Sequence, residues 1–198
     1  DSCGCFAEIG TIIGEGDDVM ELVIEAAAEA DARAKLAAYE ALAKQGIALI
    51  QFPNNEIAEQ LNGGSRGKGK FYELYGSDHS AGALMAWAWG VSRLIDALEF
   101  APNSPINASR LGITGCSRNG KGALVAGAFD ERIKLTIPQE SGSGGSASWR
   151  VSDDQKSAGQ NVQTLMQIVT ENVWFADKFK DFGQSANRLP YDQHSLMG

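Results

Sequence analysis

An α/β fold built on a parallel sheet is what this sequence predicts, and three observations carry the prediction. Short apolar runs bounded by glycine, proline or charge recur at 47–52, 111–115 and 133–138, each the length of a strand buried on both faces. Helical stretches rich in alanine and leucine stand between them, near 81–99 and 121–129. The run Gly115-Cys116-Ser117-Arg118-Asn119-Gly120-Lys121 joins one such strand to one such helix. In open α/β sheets, reacting groups collect at that kind of junction.

The elements follow in order. Residues 6–14 alternate weakly in hydropathy and read as a first strand, and Gly14 to Asp18 give a turn and a helix start. Alanine, glutamate and lysine then dominate from Val19 to Lys44, which predicts a long packing helix stopped by Gly46. Ile47–Phe52 reads as a buried parallel strand. Residues 53–79, with Gly63, Gly64, Gly67 and Gly69 interleaved with Arg66, Lys68 and Lys70, read as a long connection without regular structure. The stretch lacks the Gly-Lys-Ser/Thr of a phosphate loop. Ser77, Asp78, His79 and Ser80 offer caps to a helix over 81–99 with Leu84, Trp87, Val91, Leu94, Ile95 and Leu98 on one face. His79, at that helix entry, is expected as a structural hydrogen-bond partner rather than a base. The chain reads as one domain over 1–198, with 1–46 organised differently from 47–198.

Composition excludes several functions. A content of 43% hydrophobic residues with 23 glycines fits a folded, loop-rich enzyme rather than a disordered chain. The net charge of −8 opposes nucleic-acid binding, which needs a basic face. No apolar run approaches the roughly 20 residues that span a bilayer, so no membrane partner is expected and the chain reads as soluble. The N-terminus lacks the basic-then-apolar pattern of an export signal. Cys3 and Cys5 have no nearby histidine, so neither a metal nor another cofactor is expected. Asn107-Ala108-Ser109 is a glycosylation sequon in a turn-rich stretch.

Ser117 is the candidate nucleophile. A strand-to-helix turn forces such a serine into a strained conformation with its hydroxyl out of the sheet, and the helix that follows presents N–H groups to a developing oxyanion. The motif departs from Gly-x-Ser-x-Gly, because Asn119 holds the place of the second glycine and Gly120 comes one later. Glu140 stands just past the strand that ends near Pro138, on the same sheet edge as Ser117. Serine followed by acid matches the hydrolase order of this architecture, with Glu140 as triad acid.

Several segments carry a family resemblance. Residues 64–72, 76–84, 86–93, Gly-Cys-Ser-Arg-Asn-Gly-Lys-Gly at 115–122 and Ile-Pro-Gln-Glu-Ser-Gly at 137–142 closely resemble the glucuronoyl esterases, the 4-O-methyl-glucuronoyl methylesterase family of carbohydrate esterases. So do Gln-Asn-Val-Gln at 160–163, Thr-Glu-Asn at 170–172 and Leu-Pro-Tyr-Asp-Gln-His at 189–194. The likeness runs from about Gly46 to the end. It implies a secreted α/β-hydrolase, a three-layer sandwich present here in part; the apolar runs of this chain supply three to four parallel strands of it, and the N-terminal helix, before the matching segments, is an addition. It also implies hydrolysis of glucuronate esters that link xylan to lignin alcohols. Ser117 then matches the nucleophile, Arg118 an oxyanion stabiliser, Glu140 the acid that orients the histidine, and Lys121, Gln163 and Glu171 the ligands of the sugar hydroxyls. Residues 142–187 would be an insertion that helps wall the cleft.

The resemblance also predicts what this chain lacks. Only His79 and His194 are present, and His194 matches a structural histidine of the family. The catalytic histidine is expected to follow a further part of the sheet, past Gly198, and a sugar-stacking tryptophan is likewise missing; either the chain is part of a longer esterase, or its N-terminal helix covers what the missing part would have covered. Cys116 matches a cysteine that pairs beside that histidine in fungal members, so it is expected as a free buried thiol, with a bridge to Cys3 or Cys5 left open. Ser148 stands where those members have cysteine. The shortened sheet would leave an open edge, a site for self-association. Two readings follow: a serine ester hydrolase, or a noncatalytic glucuronate-binding remnant.

Overall fold

A computed structural model describes residues 9–13, 24–25 and 39–197. Five strands are present among them: β1 Ile9–Ile13, β2 Ile24–Glu25, β3 Ala48–Phe52, β4 Leu111–Cys116 and β5 Ile133–Gln139. Beyond a helical stretch at 39–43, the helices are α1 Asn54–Ile57, α2 Lys70–Tyr75, α3 Ala83–Phe100, α4 Arg118–Phe129, α5 Trp149–Ser157 and α6 Leu165–Glu171, with 3-10 segments between and after them.

β4 and β5 form the expected parallel pair, in register from Gly112 opposite Leu135 to Cys116 opposite Gln139. Every residue of β4 is buried, as a central parallel strand requires. The other sheet corrects the expectation of three to four parallel strands. Its order is β2-β1-β3, and β1 runs antiparallel to both neighbours, with Ile9 opposite Phe52 and Ile13 opposite Ala48. β3 is correspondingly half-buried, with exposed Gln51 beside buried Phe52. An apolar run fixes that a strand is buried but not the direction of its partner, and an antiparallel pair tolerates one wet face. Among the described residues β5 pairs with β4 only.

The long N-terminal helix is also corrected. Residues 24–25 are a strand inside the span expected to be helical, and helix is described only at 39–43. Residues 14–23 and 26–38, where the rest of that helix was expected, lie outside the described residues, as do Cys3 and Cys5. The stretch 53–79 is not structureless: it holds α1, a 3-10 turn capped by Asn62 in a reciprocal pair with Ser65, and α2. Short polar and glycine-rich pieces hide such elements because no window is long enough to show a helical period.

α3 is the spine of the core. Leu84, Trp87, Val91 and Ile95 are buried along it as the spacing predicts, and Leu94 and Leu98 are partly covered. The Trp87 indole N–H donates to the Ala58 carbonyl at 2.9 Å. Its N-terminus differs from expectation: the cap is Gly82, not Ser77 to Ser80. The free N–H groups of Ala83 and Leu84 are taken by the carbonyls of Val173 (2.9 Å) and Trp174 (3.2 Å), so a distant loop does the work of a capping side chain. α4 packs on α3 and across β4 and β5, with residues 119–126 all buried. No helix among the described residues is long and apolar enough to cross a membrane.

Candidate active site

Ser117 sits between β4 and α4 with φ 56° and ψ −120°, a conformation that L side chains rarely adopt. Two backbone hydrogen bonds hold it there: the Ser117 N–H donates to the Gln139 carbonyl (3.0 Å), and its own carbonyl accepts from the Lys121 N–H (3.1 Å). Two glycines permit the turn. A Cβ on Gly115 would come 2.5 Å from the Asn119 carbonyl oxygen, and one on Gly120 would come 2.5 Å from that of Gln139 and 2.8 Å from that of Gly115. The departure from Gly-x-Ser-x-Gly is thereby explained. The residue crowded against the strands is Gly120, while Asn119 points to a buried partner, accepting from Asn54 Nδ2 at 3.0 Å.

Glu140 follows β5, also at positive φ (44°). Because Cys116 pairs with Gln139 across β4 and β5, Ser117 and Glu140 leave the sheet at the same edge on adjacent strands. Glu140 Oε2 lies 3.8 Å from Cys116 Sγ. Cys116 is disulfide-bonded, which corrects the expected free thiol. Bridging depends on which cysteines the fold brings within reach, a distance that sequence separation does not report. Arg118 is the first residue of α4 and is exposed.

One turn into α4, Lys121 is buried. Its Nζ donates to the Ser141 carbonyl at 2.6 Å and lies 5.6 Å from the centre of the Trp174 ring. Burial pulls its pKa down to about 8; the Glu171 carboxylate opposes that shift and Arg118 adds to it. Gln163 Nε2 donates to Glu171 Oε2 at 2.5 Å, and the Ser143 hydroxyl donates to the Gln163 carbonyl. Thr164 and Gln167 form a capping box that starts α6 between Gln163 and Glu171. The structure therefore gathers Lys121, Gln163 and Glu171, a cation, an amide and a carboxylate suited to a hydroxyl-rich ligand. Trp174, whose ring faces Lys121 Nζ, and Gln60, which accepts the Trp174 indole N–H, have no distinguishing sequence signal beyond three residues' distance from Glu171 in one case.

With this geometry in view, comparison with known proteins is decisive. The family of fungal glucuronyl esterases matches residues 20–198. The chain belongs to the glucuronoyl esterase family. The matched span begins well before Gly46, so the kinship reaches further toward the N-terminus than the motifs indicate. Among relatives, 4-O-methyl-glucuronoyl methylesterase 1 of Sodiomyces alcalophilus is 62% identical over 153 residues, covering 77% of this chain and 31% of that protein. The Hypocrea jecorina 4-O-methyl-glucuronoyl methylesterase is 60% identical over 154 residues, covering 78% of this chain and 34% of that protein. The chain thus spans about a third of the length of the curated relatives it matches. The glucuronoyl esterase catalytic domain from Hypocrea jecorina superposes with TM-score 0.73 at 59% identity, over 75% of this chain and 41% of that one. A serine-to-alanine mutant of the Sporotrichum thermophile glucuronoyl esterase, solved with methyl 4-O-methyl-β-D-glucopyranuronate, gives TM-score 0.72 at 57% identity, over 75% of this chain and 41% of that one.

His79 accepts the Ala81 N–H at Nδ1 (3.1 Å) and packs edge-on to Phe71, with ring centres 5.1 Å apart. His194 is exposed in the 3-10 segment Gln193–Met197. Among the described residues, neither imidazole hydrogen-bonds Ser117. Ser148 donates its hydroxyl to Asp192 Oδ2 at 2.7 Å and caps α5. Asp192 is buried and accepts the N–H groups of Trp149 (2.7 Å), Gln193 (2.6 Å) and Arg150 (3.2 Å). Burial alone would raise its pKa, but these hydrogen bonds outweigh burial and hold the carboxyl below its ordinary range. This hub pins the Leu-Pro-Tyr-Asp-Gln-His segment to α5.

Proposed function

We propose that this chain carries the nucleophile and sugar-binding part of a secreted serine carboxylic-ester hydrolase, which cleaves glucuronate esters linking xylan to lignin alcohols through an acyl-enzyme on Ser117. The observation that carries the reading is the strained Ser117 turn on the same sheet edge as Glu140, one helical turn from the Lys121, Gln163 and Glu171 group. The uronate complex of the related Sporotrichum enzyme supports the substrate class.

The chemistry follows from the positions. Ser117 Oγ attacks the carbonyl carbon of the uronate ester, and the electron pair moves onto the carbonyl oxygen. The leading N–H groups of α4, which lack intrahelical acceptors, and the permanently charged Arg118 guanidinium stabilise that oxyanion. Collapse expels the alcohol as it takes up a proton and leaves the glucuronoyl group on Ser117. Water then releases glucuronate and restores the hydroxyl. Lys121 and Gln163 donate to sugar hydroxyls, and the Glu171 carboxylate accepts from them. The Oγ proton passes to a general base, which Glu140 orients, and from it to the leaving alcohol; we assign that base to neither His79 nor His194.

That last point favours a second reading, glucuronate binding without turnover. The two separate in one experiment. The chain is offered a benzyl ester of methyl-glucuronate, alcohol release is followed by chromatography, and binding of methyl glucuronate is followed by calorimetry. Release that disappears in Ser117→Ala supports the hydrolase. Binding without release, unchanged in Ser117→Ala, supports the remnant. Neither binding nor release defeats both.

A further inference from the structure

We propose that Gln60 and Trp174 are positioning residues for Lys121: Gln60 fixes the indole, and the indole face holds the ammonium at the sugar-binding group. The inference rests on the reading of Lys121 as a sugar ligand.

An ammonium on a four-carbon stem does not stay in place by itself. A fixed side chain of this length gives up rotamer freedom unless its surroundings have already restricted it. Lys121 has three N–H donors, and the Ser141 carbonyl takes one of them. The Trp174 ring, 5.6 Å from Nζ, adds an attraction for the cation without taking up a donor. Donors therefore remain for a ligand.

The ring is itself held from several sides. Trp174 is 4% exposed, its carbonyl accepts the Leu84 N–H at the head of α3, and its indole N–H donates to Gln60 Oε1 at 3.0 Å. Gln60 is also 4% exposed. Its carbonyl accepts from Asn172 Nδ2 at 2.9 Å, two residues before Trp174 in the chain, so one glutamine grips the 172–174 segment at both backbone and side chain. A buried glutamine with both ends engaged 112 and 114 positions away in sequence is costly to place unless its geometry matters. The segment after β3 that carries Gln60 thus serves as the support beneath the sugar-binding lysine.

The charged groups that face Lys121 are Glu171, which favours the ammonium, and Arg118, which opposes it; burial opposes it most. Under those conditions the indole face contributes measurably to whether the lysine stays charged. The test reads the lysine directly. The chain is prepared with carbon-13 at the lysine ε position, the Lys121 signal is assigned by its loss in Lys121→Arg, and its chemical shift is followed against pH. The unsubstituted chain is expected to titrate at about 8. Trp174→Leu should lower the midpoint by about one pH unit, and Gln60→Leu, which frees the ring without removing it, should lower it by less. Trp174→Phe restores a ring face and should return the midpoint toward the starting value, which general loosening of the site would not do.

If Trp174→Leu does not fold, Gln60→Leu decides alone. A midpoint unchanged in the folded variants overturns the proposal. Failure of the sugar-ligand reading shows separately, as an unsubstituted chain that titrates as described but binds no methyl glucuronate.

Discussion

Asn54 and Asn119, 65 positions apart, are joined by a buried 3.0 Å hydrogen bond from Asn54 Nδ2 to Asn119 Oδ1. The bond links the residue that opens α1, just after β3, to the first turn of the helix behind the nucleophile. It therefore ties two otherwise separate parts of the chain at the point where Ser117 must be held in a strained turn.

Loss of that bond should be costly, because a hydrogen bond between two buried amides is removed where water does not replace it. Asn54→Leu is expected to lower unfolding stability by about 1–3 kcal/mol in urea titration. The Asn54→Leu, Asn119→Leu double mutant should cost less than the sum of the singles. Strict additivity would show that the bond does not couple the two segments.

Backbone strain at Ser117 gives a second expectation. Glycine adopts φ 56° without penalty, whereas alanine suffers as serine does. Ser117→Gly should be more stable than Ser117→Ala by about 1 kcal/mol, read as a higher melting temperature, with both lacking ester hydrolysis. Equal stabilities would mean that the turn stores no strain.

Lys121 makes stability depend on alkaline pH. Its folded pKa of about 8 lies below the ordinary 10.5, so between those values the unfolded chain keeps a proton that the folded chain has released. Stability contributed through this group therefore rises with pH across that window, by up to about 3 kcal/mol. The difference between the unsubstituted chain and Lys121→Met should shift by that amount from pH 8 to 10.5. A difference that stays flat would refute a buried, destabilised cation.

Asp130 acts at the other end of the scale. Arg132 grips it through two side-chain hydrogen bonds, at 2.9 and 2.7 Å, and its backbone N–H, at 3.1 Å, and the Ser92 hydroxyl adds a fourth at 2.7 Å. The Arg132 bonds, outweighing burial and aided by Ser92, hold the carboxyl at about 2, below its ordinary 3.8. The resulting stabilisation, roughly 2 kcal/mol, is fully present above pH 3.8 and is lost as pH falls toward 2. Asp130→Asn should cost that much at neutral pH and remove this part of the acid sensitivity, as followed by circular dichroism on acid titration. Arg132 also reaches Asp96 (2.8 Å) and Glu99 (2.9 Å), so the same substitution loosens the junction of α3 with the start of β5.

Local pattern made much of the fold and site legible. The apolar runs of β4 and β5, the buried stripe of α3 and the strand-to-helix turn at Ser117 each depend on residues within a few positions of one another, where periodicity and glycine placement speak directly. The β3 segment was legible as a strand but not in its pairing, because direction is chosen by the partner. The capping of α3 by Val173 and Trp174, and the Asp192 hub, were hidden because their donors and acceptors meet only after folding.

What the sequence determined by itself was the chemistry on offer: a serine at an elbow, an acid after the next strand, and a lysine, glutamine and glutamate in family motifs. Tertiary structure decided how those groups are held. Parallel register puts Ser117 and Glu140 on one edge, the Gly115 and Gly120 contacts force the turn, and burial beside Trp174 sets the charge of Lys121. The physical reason is range. Propensity and periodicity act over a few residues, whereas desolvation, buried hydrogen bonds and strand register depend on partners that only the completed fold brings together.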